Sequence, residues 1–183
     1  MKTALIIHGA YGNPYENWIP WVKNELEGLD YEVITPAFPT PQDQNLESWL
    51  KVVTPYLNKL GSESVLIGHS IGAVFLLSIL EHISDPIKTS VFVSGFLHDL
   101  DNEDFDKINN SFYNKDFDWG RIIINSQKIA IFHGDNDPYV PVKEAEDLAE
   151  KLGVKVRLIK RGGHLNELAG YTEFPNLLNV FKD

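Results

Sequence analysis

Residues 64–83 read SVLIGHSIGAVFLLSILEHI. An apolar run ends at Ser70, which Gly68 and Gly72 bracket, and a second apolar run follows at once. The first run is continuously apolar, as strands covered on both faces are. The second is apolar almost all round, which suits a helix buried against the centre of a sheet. Ser70 therefore stands at a strand-to-helix joint with almost no loop. A Cβ two residues to either side would crowd such a turn, so the glycines have a steric job. A G-x-S-x-G match arises by chance in roughly one chain in twenty of this length. Its surroundings must decide what Ser70 does.

Outward from this stretch the same alternation repeats. Five further Val/Ile/Leu-rich runs, TALIIH (3–8), YEVITP (31–36), TSVFVS (89–94), KIAIFH (128–133) and VKVRLI (154–159), read as strands. Between them lie 16–29, 45–60 and 143–152, where apolar residues recur at three- and four-residue spacing, and a last helix is predicted over 174–182. Pro20 and Pro55 predict a kink or a late helix start. Alternating strands and helices give an α/β fold in three layers: about six parallel strands, right-handed crossovers, and helices on both faces. One domain over 1–183 is expected from the length. The stretch 95–120 departs from the pattern, with seven acids against two lysines, a net of −5 out of the chain's −10. The crossover 95–127 reads as a solvated, partly helical connection, or as a cap or pocket wall.

Composition narrows the chemistry. A net charge of −10 and a pI near 5.0 argue against nucleic acid or an anionic membrane as the main partner. No cysteine is present, which excludes disulfides, thiolate metal sites and a cysteine nucleophile. The opening MKTALIIHGAYGNP has too short an apolar run for a signal sequence, and no apolar run is long enough to span a bilayer. The expected compartment is the cytoplasm.

A serine hydroxyl needs a base to take its proton and an acid to hold that base in one tautomer. After the fifth run, HGDNDPYVP carries Asp135 and Asp137; after the sixth, KRGGHLNE carries His164. Asp137 is preferred because it precedes the proline-stiffened PYVP, whereas Asp135 follows Gly134 in the turn. The order Ser70–Asp137–His164 is the one expected on an α/β-hydrolase scaffold. His98 is the rival base. His8 and His133 read as packed or bonded to loop backbone, His69 as pointing away from Ser70, and His82 as a helix-end cation. A metal set of His133, Asp135 and Asp137 lacks further ligands at recognisable spacing. The backbone N–H of Ile71 and one from HGAYGN (8–13), Ala10 before Tyr11, are the expected oxyanion donors.

Taken together, LIIHGAYGNPYENWIPWVKNELE, LESWL, LIGHSIGAVFLLSILEH, VFVSGF, GDNDPYVP and GGHLNE resemble the small serine hydrolases of the retinoblastoma-binding protein 9 and YdeN-like family. The resemblance runs nearly end to end. It implies a compact α/β-hydrolase without two leading antiparallel strands, and a triad of Ser70, Asp137 and His164.

The resulting expectation is a serine carboxylesterase for small acyl substrates, with no metal and no organic cofactor. A neutral His164 must accept the proton, so activity should rise through about pH 6–7. The acidic crossover should disfavour polyanionic substrates such as CoA thioesters. Tyr11, Phe38, Phe112, Trp119 and Tyr139 are the aromatics that could reach the site. The competing readings are a protein-binding module with an idle triad, its partner unknown, and amide or peptide cleavage or acyl transfer by the same three residues.

Overall fold

A computed structural model describes residues 2–181. Six parallel strands form one sheet: β1 (Thr3–Ile7), β2 (Glu32–Ile34), β3 (Val65–His69), β4 (Ile87–Val93), β5 (Ser126–Gly134) and β6 (Val156–Ile159). Their order across the sheet is β2-β1-β3-β4-β5-β6, so the chain starts one strand in from an edge, steps to that edge with β2, and then runs across the sheet the other way. Register pairs Leu5 with Leu66 and His69 with Val93. Alternate side chains serve opposite faces, as the pleat requires. Leu5, Ile7, Leu66, Phe92 and Ile131 join one apolar cluster; Ala4, Ile6, Val65, Ile67, Val91 and Phe132 join the other.

Seven α-helices cover these faces among the described residues. On the first face lie α2 (Leu46–Leu57), α3 (Ile71–His82), α4 (Glu103–Tyr113), α5 (Trp119–Ile124) and α6 (Val142–Leu152). On the second lie α1 (Ile19–Glu27) and α7 (Pro175–Leu178), with Trp18 and Phe174 among their buried anchors. All residues of α3 from Ile71 to Leu80 are buried, as its all-round apolar sequence requires. None of these helices is long and apolar enough to cross a membrane.

The predicted element ends shift in ways the local chemistry explains. Helix α1 begins at Ile19, with Pro20 in its first turn where a missing N–H costs nothing. Pro55 sits inside α2, close to its C-terminal end. Strand β5 runs two residues further back and one further forward than 128–133. The last helix is short, α7 passing into a 3₁₀ turn over Asn179–Phe181, and Lys182 lies outside the described residues. The acidic crossover is partly helical, carrying α4 and α5. Asn102 caps α4 by accepting the N–H of Phe105, and Glu103, Asp104 and Asp106 fill its first turn, where anions suit the helix dipole.

Candidate active site

Ser70 occupies the joint between β3 and α3 with φ 56° and ψ −125°, a strained conformation for a residue bearing a side chain. Both flanking glycines are required, though for different reasons. A Cβ at Gly68 would fall on the carbonyl oxygen of Gly72, within the turn itself. A Cβ at Gly72 would lie 2.5 Å from the His8 carbonyl oxygen and 2.7 Å from that of Ile7. The second glycine therefore lets α3 pass against the end of β1, a neighbour the pentapeptide does not reveal.

The loops that carry Asp137 and His164 meet beside this joint. His164 Nδ1 donates to Asp137 Oδ2 at 2.7 Å, and the Asp137 carboxylate is wholly buried. Its other oxygen accepts the backbone N–H groups of Tyr139 at 2.9 Å and Val140 at 3.1 Å. Burial pushes the Asp137 carboxyl up. The bond from His164, its positive charge and the two amides outweigh that and leave the group below its ordinary value. Asp135 does not compete for His164, because its Oδ1 accepts the N–H of Arg161 at 2.7 Å. Asn136 Oδ1 likewise accepts the N–H of Gly163 at 2.8 Å. Asp135, Asn136 and Asp137 thus each bind the loop that carries His164.

Ser70 and His164 are 7% and 8% exposed, and both open onto a cavity of about 840 Å³. Among the described residues the Ser70 hydroxyl has no hydrogen-bond partner. Tyr11, Asn17, Ser70 and Asp101 all line this cavity, and all hold positive φ between 54° and 58°. Strained backbone gathered around one hollow is characteristic of functional sites. At the first loop, the N–H of Tyr11 is committed to Thr40 Oγ1 at 2.6 Å. The N–H of Ala10, which also lines the cavity, has no acceptor among the described residues. Ile71 opens α3, so its N–H has no intrahelical acceptor.

The remaining predicted residues sort clearly. His98 pairs with Glu144 at 3.1 Å beside a separate hollow and does not line the cavity. His8 Nδ1 donates to the Gly9 carbonyl at 2.7 Å, while its Nε2 accepts the N–H of Phe38 at 3.0 Å. His133 donates to the Val140 carbonyl at 2.9 Å. His133 and Asp137 lie 3.8 Å apart, but Asp135 turns to the N–H of Arg161, so the three do not converge as a metal set among the described residues. His82 bonds the Ser78 carbonyl of its own helix at 2.6 Å. Of the five aromatics, Tyr11 and Tyr139 line the cavity. Phe38 and Phe112 belong to the core around Trp49, and Trp119 lines the separate hollow. The acidic crossover supplies one wall of the cavity, with Leu100, Asp101, Asn102 and Phe105.

His69 departs most from its expected place. Its ring packs 4.9 Å from that of His164, centre to centre, and its Nε2 lies 2.9 Å from the His164 carbonyl oxygen. Its side chain reaches the loop that carries His164, and it lines the same cavity as Ser70.

A family model described as serine hydrolase matches residues 4–183. The chain belongs to the serine hydrolase family. This serine hydrolase is 28% identical over 183 residues to the hydrolase YdeN of Bacillus subtilis (strain 168), covering 98% of this chain and 94% of that one. Its identity to serine hydrolase RBBP9 of Rattus norvegicus is 26% over 182 residues, covering 98% and 93%. The crystal structure of the B. subtilis ydeN gene product superposes with a TM-score of 0.91 over 99% of this chain and 97% of that one. Polyneuridine aldehyde esterase, 16% identical, matches with a TM-score of 0.72 over 100% and 99% of the two chains. At that identity it speaks for the α/β-hydrolase fold alone. The enzyme is a hydrolase of that fold.

Proposed function

We propose that this serine hydrolase is a carboxylesterase in which Ser70, Asp137 and His164 act as a triad. The observation that carries the reading is the 2.7 Å bond from His164 Nδ1 to the buried Asp137 carboxylate, beside a cavity onto which Ser70 opens. That bond places the ring proton on Nδ1 and leaves Nε2 free to accept the proton of Ser70. Ser70 Oγ attacks the ester carbonyl and forms a C–O bond. The pair of electrons pushed onto the carbonyl oxygen is held by the N–H groups of Ala10 and Ile71. The imidazolium returns the proton to the departing alcohol as the ester C–O bond breaks. Water then attacks the acyl-enzyme by the same route and releases the carboxylic acid.

Cavity size and lining support a substrate class of uncharged esters larger than acetates. A hollow of about 840 Å³ has room for far more than an acetyl group, and Leu100, Phe105, Tyr139 and Leu168 supply apolar surface for an acyl chain or ring. Its acidic side chains are Glu16, Asp101 and Glu167, with no Lys or Arg among the described lining. Burial, aided by the charge of Glu167, holds the Glu16 carboxyl above its ordinary value. Such a lining repels phosphate-rich groups, so acyl-CoA thioesters should be poor substrates.

A p-nitrophenyl ester series from acetyl to octanoyl tests this reading. Expected is a kcat/KM that increases beyond acetyl, and loss of turnover in Ser70→Ala. A Ser70→Ala variant hydrolysing as fast as the parent would sink it. Efficient hydrolysis of an acyl-CoA would overturn the substrate class.

A further inference from the structure

We infer that His69, assisted by Ser94, is a positioning residue: it holds the catalytic base at its backbone, at the end of the residue opposite to the Asp137 bond. This rests on the triad reading above. Triad logic fixes the imidazole of His164 through Nδ1, but a ring is only as well placed as the loop that carries it. Here the loop is fastened by donors from neighbouring strand ends. His69 Nε2 donates to the His164 carbonyl at 2.9 Å, and Ser94 Oγ donates to the same oxygen at 3.2 Å. Trp18 Nε1 donates to the next carbonyl, that of Leu165, at 2.9 Å. A carbonyl oxygen only accepts, so His69 must carry its hydrogen on Nε2.

His69 suits this duty for three reasons. It is 4% exposed, with the Trp18 ring edge-on against it at 5.8 Å, so its own orientation is locked by packing. It stays neutral: burial above all, together with the charge of His164, pushes its pKa down to about 3. A neutral ring puts no like charge beside the imidazolium that forms on His164 during the reaction. Finally, it is covalently next to the nucleophile. The path from Ser70 to the backbone of His164 is one peptide bond, one side chain and one hydrogen bond. The separation of nucleophile and base is therefore fixed by the strand end as well as by the loops that carry acid and base. Ser94, at the end of the adjacent strand β4, also holds positive φ (50°), as a residue placed for its side chain does.

The test compares His69→Phe with His69→Gln. Phe keeps a ring of similar size and removes the donor. The Gln amide nitrogen stands the same number of bonds from Cβ as Nε2 and restores it. With p-nitrophenyl butyrate, His69→Phe should lower kcat by roughly 10- to 100-fold, with KM within about threefold of the parent. Fluorophosphonate labelling of Ser70 should slow in proportion, and His69→Gln should recover kcat to within about threefold. An active parent whose folded His69→Phe variant keeps its kcat overturns the clamp alone. So does a His69→Gln variant as slow as His69→Phe, because then the donor is not what matters. If His69→Phe does not fold, Ser94→Ala decides: a severalfold fall in kcat at unchanged KM supports the clamp, and an unchanged kcat overturns it. A parent that neither labels nor turns over ester overturns the triad reading, and the clamp with it.

Discussion

Replacing Asp137 by Asn probes the proposed chemistry through one atom. One carboxylate oxygen accepts two backbone N–H groups, at 2.9 and 3.1 Å, and the other accepts His164 Nδ1–H at 2.7 Å. Asn has a single oxygen. The two backbone donors cannot reverse, so that oxygen must stay with Tyr139 and Val140, and the NH₂ group must face His164. Nδ1 then has to accept, which sends the ring proton to Nε2. That is the atom required to take the proton of Ser70, so the base starts the reaction already occupied. The cost expected from this wrong tautomer is on the order of 10⁴ in kcat, equivalent to about 5.5 kcal/mol of barrier. Ester hydrolysis, measured alongside a melting curve to confirm folding, reads it directly. Asp135→Asn serves as the control, because that carboxylate holds only the N–H of Arg161. It should lose less than about tenfold. A folded Asp137→Asn enzyme retaining more than about a tenth of the parent kcat would refute the reasoning.

Two further outcomes follow from the same geometry. In Gly72→Ala the new methyl meets two carbonyl oxygens of the chain at the end of β1, at 2.5 and 2.7 Å. Backbone cannot yield as a side chain can, so urea unfolding should show a loss of about 3 kcal/mol or more; a loss below about 0.5 kcal/mol would contradict the packing described. His69 also makes folding sensitive to acid. Its folded pKa, about 3, lies below the unfolded value of 6.5, so the unfolded chain binds the extra proton as pH falls below 6.5. Stability contributed by keeping His69 neutral is complete above pH 6.5 and falls by roughly 2 kcal/mol by pH 5. Denaturation across that window should steepen accordingly, and His69→Gln should remove about one proton from the slope. An identical slope in the variant would show that His69 is not the group responsible.

Legibility in the sequence followed the range of the forces involved. Runs rich in Val, Ile and Leu mark β1, β3, β4 and β5 because both faces of these strands are buried, and the few polar residues within them, such as Thr89 and Ser90, are buried too. The strand-to-helix joint at Ser70 and the placing of Asp137 and His164 in loops after strands were readable because each follows a strand that the pattern locates. Short elements were harder: α5 is six residues, WGRIII, with too few turns to show a helical period. Aromatic placement was not readable, since Phe38 and Phe112 turn into the core around Trp49 through contacts between distant segments. The same limit hid Phe105, Leu100 and Leu168 as cavity wall. His69 was half legible. Strand alternation gives its direction away from Ser70, but only the folded chain shows that the His164 carbonyl lies there. Asn136 was missed for a similar reason, its partner being the N–H of Gly163, 27 residues further along the chain.

The central claim is that Ser70 is an activated nucleophile. Incubation with a fluorophosphonate, followed by intact-mass measurement and peptide mapping of parent and Ser70→Ala, tests it most directly. One stoichiometric adduct on Ser70 is expected in the parent and none in the variant. Folded parent that takes up no label, or label that persists in Ser70→Ala, would contradict it.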